Sequence, residues 1–203
     1  MSLAADRWNQ AMTPDEYLAS LQHSREEFER NIARTRIMPG EWAAFGQEPL
    51  HILVITEDWC PDSVQFVPMV IALAAALPTV EVRILRRSEH ADLAARYRRP
   101  DGTQAIPTFV LLDADFQELG FLIERPERVS EELREALAAF ARTHPELEGV
   151  TKAWAEMPPE TRVAVRTFLH DWREQQFERW TRYLFEDLAE IAKTARVSAG
   201  RSA

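Results

Sequence analysis

The sequence contains only one cysteine, Cys60, among 203 residues. A single cysteine cannot form an intramolecular disulfide, so the chain is not a disulfide-braced secreted scaffold. The N-terminus also lacks the basic segment, apolar stretch and small-residue cleavage site of an export signal. We therefore expect a cytoplasmic protein.

Metal-ligand patterns are missing as well. The five histidines are scattered without ligand spacing, and no second cysteine can join them: His23, His51, His90, His144 and His170. The chain has no Gly-rich phosphate loop and no Gly-x-Ser-x-Gly nucleophile elbow. We expect neither a metal site nor a common nucleotide-binding or hydrolase function.

Acidic residues outnumber basic residues, which gives a formal net charge of −9 at pH 7. No block of lysine and arginine offsets this charge locally, so we expect neither nucleic acid nor membrane as a partner. The most apolar stretch, residues 64–77, contains Gln65 and Pro68. It is shorter than the roughly 20 residues that cross a bilayer and predicts a buried helix instead.

The composition that remains, with 46% hydrophobic and 28% charged residues, is typical of a globular protein with one core and appended elements. Thr13, Pro14 and Glu16 form a capping-box sequence that predicts the start of a helix. Apolar residues then recur at helical spacing until Pro39-Gly40, which we expect to end the run. We assign residues 1–45 to an N-terminal helical extension.

The central part of the chain alternates between strand and helix patterns. Apolar and β-branched runs predict strands, and longer periodic runs predict helices, in the order β-α-β-α-β-β-α. The strands are expected at 51–56, 80–85, 108–112 and 116–123, and the helices at 61–77, at 89–97 and from Ser130 onward. Helical connections imply parallel pairing and the final hairpin implies antiparallel pairing, so we expect a mixed sheet.

Beyond Gly149 the composition changes. Residues 157–160 contain two prolines that separate the preceding helix from a long amphipathic pattern, which ends near Ala195. Its apolar stripe comprises Val165, Leu169, Trp172, Phe177, Trp180, Leu184, Leu188 and Ile191. We assign residues 145–203 to a C-terminal helical extension. We expect the stripe to pack with the N-terminal helix against the core, the alternative being a homodimer or partner surface.

The motif Trp59-Cys60-Pro61-Asp62-Ser63 follows a predicted strand and opens a predicted helix. Ile106-Pro107-Thr108 precedes the predicted hairpin, and Pro68 follows Cys60 by eight residues. At these positions residues 46–144 resemble the thioredoxin-like family. The resemblance implies an α/β thioredoxin-like fold, a mixed sheet flanked by helices, here with helical extensions at both ends.

The resemblance also implies the site. Cys60 would be the nucleophile, and Pro107 would be the family's cis proline that faces it. Trp59, Pro61, Asp62, Ile106 and Pro107 would form the substrate-binding surface, with backbone beside the proline pairing an extended segment. Because a thiol at a helix N-terminus meets free N–H groups and the positive end of the helix dipole, we expect an exposed thiol there that readily ionises.

Two positions depart from the family. Ser63 replaces the second cysteine of Cys-x-x-Cys, and Val54 replaces the buried aspartate that assists it. A monothiol Cys-x-x-Ser site needs a second thiol from glutathione, another low-molecular-weight thiol or a partner protein, and no other cofactor. Ser63 is interpreted either as a hydrogen-bond partner of the thiolate or as a capping and packing residue.

Charged residues surround the motif in sequence. Glu57, Asp58 and Asp62 predict an acidic rim that disfavours the thiolate and repels glutathione. Arg98 and Arg99 either offset this acidity, hold a carboxylate or belong to a solvated loop, and we favour the loop.

The sequence therefore supports two hypotheses. In the first, Cys60 carries out thiol-disulfide exchange, or forms a mixed disulfide, with a low-molecular-weight thiol or a thiol- or disulfide-containing protein. In the second, the fold is kept as a non-catalytic binding or adaptor module, since fold alone does not determine function.

Overall fold

The computed structural model describes residues 3–45 and 48–200. The helices are α1 (Leu3–Trp8), α2 (Pro14–Ala19), α3 (Arg25–Arg34), α4 (Pro39–Phe45), α5 (Pro61–Ala76), α6 (Ala91–Ala94), α7 (Glu127–Thr143) and α8 (Pro159–Gly200). The strands are β1 (Leu50–Thr56), β2 (Val80–Arg86), β3 (Thr108–Leu112) and β4 (Glu118–Ile123). Within the described ranges, no helix is long and apolar enough to span a membrane.

The four strands form one mixed sheet in the order β2-β1-β3-β4. β1 and β2 run parallel, with Leu50 opposite Val80, while β3 is antiparallel to both of its neighbours. The mixed sheet is confirmed, but antiparallel pairing is not confined to the hairpin. The short α6 and its loops do not act as a full crossover helix, so β3 enters the sheet in the opposite direction.

The sheet is buried on both faces at its centre. Leu53 and Ile55 of β1 join Val110 and Leu112 of β3 in a core cluster that the N-terminal Trp8 also enters. The alternate residues of the same strands are also fully buried and point to the opposite face: Ile52, Val54, Phe109 and Leu111. The site-bearing end of β1 is therefore anchored in core packing.

The N-terminal extension is helical, but the single run that the sequence predicts is broken. The capping box starts α2 as expected, because the Thr13 side chain accepts from Glu16 N–H and Glu16 accepts from Thr13 N–H. The chain then leaves the helix, and Ser24 adopts a left-handed conformation with φ 53°. The backbone N–H groups of Gln22 and His23 bind Asp58 instead of continuing the helix.

Several predicted boundaries were wrong by a few residues. Pro39 begins α4 rather than ending a helix, in agreement with the preference of proline for the first helical turn. The helix predicted at 89–97 is only α6, and β4 begins at Glu118 because Asp113 accepts two backbone N–H groups across a longer turn. α7 starts at Glu127, directly after Pro126, and not at Ser130.

The chain divides into two compact units. One comprises the residues up to Arg125 together with those from Leu184 onward, and the other is Pro126–Tyr183. The predicted boundaries at 45/46 and 144/145 remain predictions. Residues 46 and 47 lie outside the described ranges, as do residues 1–2 and 201–203 of the predicted extensions.

In the first unit, the C-terminal part of α8 packs part of its apolar stripe against other elements of the unit. The rings of Phe45 and Phe185 meet edge to face with centroids 6.3 Å apart. A Cβ atom on Gly120 of β4 would lie 2.7 Å from Cγ2 of Ile191, so the strand and helix approach closely. This confirms intrachain packing against the sheet and the N-terminal extension for the stripe from Leu184 onward.

In the second unit, α7 and the first part of α8 have an aromatic core of their own. The rings of Phe140 and Phe168 stack with centroids 4.4 Å apart. Trp180 is fully buried, and its indole N–H donates to Glu132 at 2.7 Å. Apolar contacts of Val150, Met157 and Val165 complete this cluster.

Candidate thiol site

Cys60 occupies the N-cap position of α5, immediately after the β1 loop. Its backbone is extended, with φ −81° and ψ 125°, and its carbonyl accepts the N–H of Val64 at 3.0 Å. Pro61 fits the first helical position because its missing N–H would have no helical partner there. The local sequence thus fixes where the helix starts and sets the thiol at its N-terminus.

The thiol faces the loop that precedes β3. Cys60 Sγ donates to the carbonyl of Ile106 at 3.4 Å, and the Ile106–Pro107 peptide bond is cis. Only 8% of Cys60 is exposed, so the expectation of an exposed thiol is wrong. The side chain points toward the Ile106 carbonyl, which accepts its S–H.

Of the other residues predicted to form the substrate-binding surface, some are exposed and others are buried. Trp59 is 55% exposed and Pro61 is exposed, so both present apolar groups to solvent beside the thiol. Ile106 and Pro107 are buried, and the Pro107 carbonyl accepts the N–H of Glu124 at 2.6 Å. The structure therefore brings the thiol and the Ile106–Pro107 loop together, while their roles in binding a substrate remain predictions.

Ser63 lies in the first turn of α5, three residues after the thiol. It is fully buried, and its hydroxyl has no hydrogen-bond partner among the residues that the structure describes. Neither the predicted bond to the sulfur nor a capping bond is present there. Val54, the second departure from the family, is fully buried in β1, opposite Phe109 of β3 and Ile84 of β2.

The predicted acidic rim is absent from this site, because the three carboxylates are buried and paired. Glu57 accepts the N–H of Ser88 at 2.7 Å. Burial favours the neutral form of Asp58, but hydrogen bonds from Gln22 N–H and from the His23 side chain and N–H, with the charge of Arg86, hold its pKa below the usual value. These contacts use the carboxylates to anchor the loop before Cys60.

Arg86, at the end of β2, is the cation of this cluster. Its guanidinium lies 3.6 Å from Asp58 and 3.9 Å from Glu57, and it donates to the Ser20 carbonyl at 2.9 Å. It also stands over the ring of Tyr17, whose pKa is raised by burial. The sequence interpretation did not identify Arg86, and the only available signal was a basic residue at the end of a predicted strand.

A second ion-pair chain joins α5 to the end of β4. Arg125 binds Asp62 at 2.6 Å and Glu124 at 3.2 Å, and Glu124 also pairs with Arg99. The solvated-loop interpretation of Arg99 is therefore wrong. Arg98, in contrast, is exposed and donates to the Gly102 carbonyl at 2.8 Å.

The sequence interpretation did not identify Arg125, because 63 residues separate it from Asp62 and no local pattern connects them.

Within the residues described by the structure, no group of three or more His, Cys, Asp or Glu is arranged to hold a metal ion. The chemistry that the site offers is that of one thiol at a helix N-terminus, a neighbouring carbonyl and a buried hydroxyl.

Residues 11–138 match the model of a family described as Thioredoxin. The match covers more than half of the 203 residues, and the chain belongs to this thioredoxin family. The predicted thioredoxin-like α/β fold with helical extensions is confirmed. No curated protein matches the chain.

Two solved structures resemble most of the chain. An HIV epitope scaffold has a TM-score of 0.61 at 16% identity, over 94% of this chain and 97% of the scaffold. A Pseudomonas aeruginosa protein of unknown function has a TM-score of 0.58 at 19% identity, over 85% of this chain and 99% of its own. At these identities the likeness concerns the fold alone.

Oxidised mitochondrial thioredoxin 3 from Saccharomyces cerevisiae matches a smaller part. It is 25% identical over 43% of this chain and 79% of its own, with a TM-score of 0.32. A score this low does not bear on the function of the chain.

Proposed function

We propose that this protein is a cytoplasmic monothiol oxidoreductase in which Cys60 exchanges with disulfides. The Cys60 thiolate attacks one sulfur of a disulfide, a new S–S bond forms to Cys60, and the other sulfur leaves as a thiolate. A second thiol then attacks the mixed disulfide and releases reduced Cys60. The second thiol comes from a low-molecular-weight thiol such as glutathione or from a protein, because Ser63 cannot supply it.

One observation carries the proposal: Cys60 Sγ lies at the N-terminus of α5 and 3.4 Å from the Ile106 carbonyl. Helix N-termini favour the thiolate through their free N–H groups and dipole. The partner would lie along the Ile106–Pro107 backbone, beside the exposed ring of Trp59. The paired carboxylates support this proposal too, since they remove the repulsion of anionic thiols that the sequence predicted.

The test is incubation of the full chain with oxidised glutathione, followed by mass spectrometry of the product. We expect one glutathione on Cys60, released by added reduced glutathione, and no adduct on a Cys60→Ser variant with the same thermal unfolding midpoint. Turnover is then measured with a protein mixed disulfide as substrate. A chain that forms no adduct with oxidised glutathione, cystine or a peptide disulfide would refute exchange.

The second candidate is a binding or adaptor module that does not turn over. The burial of Cys60, with 8% exposed beside a Trp59 that is 55% exposed, favours it. In that case Cys60→Ser keeps the protein partners recovered from cells, whereas Trp59→Ala loses them. Loss of the same partners in Cys60→Ser argues for thiol chemistry. Neither function involves nucleic acid or membrane.

A further inference from the structure

The hydroxyl of Ser63 is a buried polar group that the proposed exchange does not use. It is fully buried and has no hydrogen-bond partner in the described ranges. Buried hydroxyl groups are normally paired, so an unpaired one beside a reactive group requires an explanation. We propose that Cys60 is reversibly oxidised by hydrogen peroxide to a sulfenic acid, and that the Ser63 hydroxyl hydrogen-bonds the oxidised sulfur.

The positions of the two residues support this pairing. Cys60 is the N-cap of α5 and Ser63 is its third residue. In capping boxes the side chain at this third position reaches back to the N-cap residue. An oxygen added to Cys60 Sγ extends the side chain and brings a new acceptor and donor within reach of the hydroxyl.

Access to the thiol favours a small oxidant. Cys60 is 8% exposed, and its S–H is engaged with the Ile106 carbonyl. A disulfide must bring two substituted sulfur atoms to this buried position, while hydrogen peroxide is hardly larger than water. The modification concerns the same thiol as the proposed exchange but does not depend on it.

The reaction is balanced without a cofactor. The sulfur attacks one oxygen of hydrogen peroxide, the S–O bond forms as the O–O bond breaks, and the leaving hydroxide takes the thiol proton to become water. Sulfenic acids usually condense with a neighbouring thiol, but the chain has no other cysteine. The product therefore persists until an external thiol converts it to a mixed disulfide and water.

The experiment treats the full chain with excess hydrogen peroxide and traps sulfenic acid with dimedone. Fragment-ion sequencing assigns the adduct to Cys60 and separates its oxidation from that of methionine. We expect a dimedone adduct on Cys60 and, in Ser63→Ala, a sulfenic acid lifetime about five-fold shorter, the effect of one neutral hydrogen bond. The more rapid loss leads to the sulfinic acid, because a second molecule of hydrogen peroxide oxidises the less protected sulfur and leaves as water.

Thr56→Val provides a matched control. Thr56 is also fully buried, but its hydroxyl lies beside that of Tyr17 and it belongs to β1, not to the first turn of α5. We expect its sulfenic acid lifetime to equal that of the parent. The absence of a dimedone adduct refutes the proposal, as does an equal lifetime in Ser63→Ala or an equal loss in both variants.

The same samples are assayed with oxidised glutathione, so that this inference and the proposed exchange can fail separately. A parent protein that forms the dimedone adduct but no mixed disulfide overturns the exchange and leaves the inference intact. A parent protein that forms the mixed disulfide but never the dimedone adduct overturns it and leaves the exchange intact.

Discussion

Replacement of Asp58 by asparagine tests whether a buried carboxylate fixes the loop before Cys60. The Asp58 side chain is 3% exposed and accepts from Gln22 N–H at 2.8 Å, His23 N–H at 3.3 Å and His23 Nδ1 at 3.1 Å. Asparagine has nearly the same shape but offers one acceptor oxygen and an NH₂ group. The NH₂ group would then face either the two backbone N–H donors or His23 Nδ1, which would have to change from donor to acceptor.

The variant also removes one of two counter-charges from Arg86, whose side chain is 15% exposed. Removing one partner of a buried charge pair destabilises by about 3–5 kcal/mol, and the remaining Glu57 and partial solvation reduce this value. We expect Asp58→Asn to lower the free energy of unfolding by roughly 2–4 kcal/mol at pH 7. Urea unfolding followed by tryptophan fluorescence measures this change.

The pH dependence follows from the lowered pKa of Asp58. A carboxyl with a lower pKa in the folded state stabilises the protein above its unfolded pKa, and this contribution is lost as the pH falls through the folded pKa. The difference between parent and Asp58→Asn should therefore be constant above about pH 5 and shrink below about pH 3.9. Asp92→Asn, which removes an exposed partner of Arg7, serves as control and should change stability much less.

Two results would contradict this reasoning. One is an Asp58→Asn variant within about 0.5 kcal/mol of the parent at pH 7, the usual range for surface substitutions. The other is a difference between the two proteins that stays constant down to pH 3. Either result would mean that the carboxylate does not hold the loop through its charge.

Three further changes test the packing around the site, each by urea unfolding. Ser63→Ala should leave the free energy of unfolding unchanged or raise it by up to about 1 kcal/mol, because it removes a buried unpaired hydroxyl; a loss above that size would reveal a bonded hydroxyl. Arg125→Gln should destabilise by roughly 1–3 kcal/mol, and by less in an Asp62→Asn background, where the contact of Arg125 with Glu124 is still lost; full additivity in the double variant would exclude the Asp62 ion pair as a cause. Gly120→Ala should destabilise by about 1–3 kcal/mol because its Cβ would meet Ile191, and a neutral result would show that α8 does not pack on β4.

The strands of the sheet were predictable because their information is local. Residues 51–56 and 108–112 are apolar and β-branched, and both strands occur where this pattern predicts them. The start of α2 was predictable for the same reason, since the capping box lies within four residues. Local patterns of this kind determine element type, and family resemblance supplied their arrangement around the thiol.

The break between α2 and α3 could not be predicted, because its cause is distant in sequence. The N–H groups of Gln22 and His23 bind a carboxylate that lies 36 and 35 residues away. The charges around Cys60 were misjudged for the same reason. Asp62 has no basic residue near it in the sequence, but in the fold it forms an ion pair with Arg125, 63 residues later.

The carboxylates near Cys60 anchor the loop before it and the first turn of α5. Glu57 is tied to the end of β2 through Ser88, Asp58 to the N-terminal extension, and Asp62 to Arg125 after β4. Each anchor belongs to a different element of the same compact unit. The position of the thiol at the start of α5 is thus held from both sides by buried charge pairs and not by the helix alone.

The pairing of the carboxylates means that apolar contacts, more than charge near Cys60, determine which reaction partner is preferred. Because Asp58 and Asp62 are paired with arginines, they add little local repulsion of anionic thiols at the opening. Selection then depends on contacts at the opening, where Trp59 is the largest exposed apolar group in the motif. A protein disulfide that packs on this ring gains apolar burial that glutathione cannot match. Trp59→Ala should therefore slow exchange with a protein disulfide more than exchange with glutathione, and equal slowing would place the ring outside the binding surface.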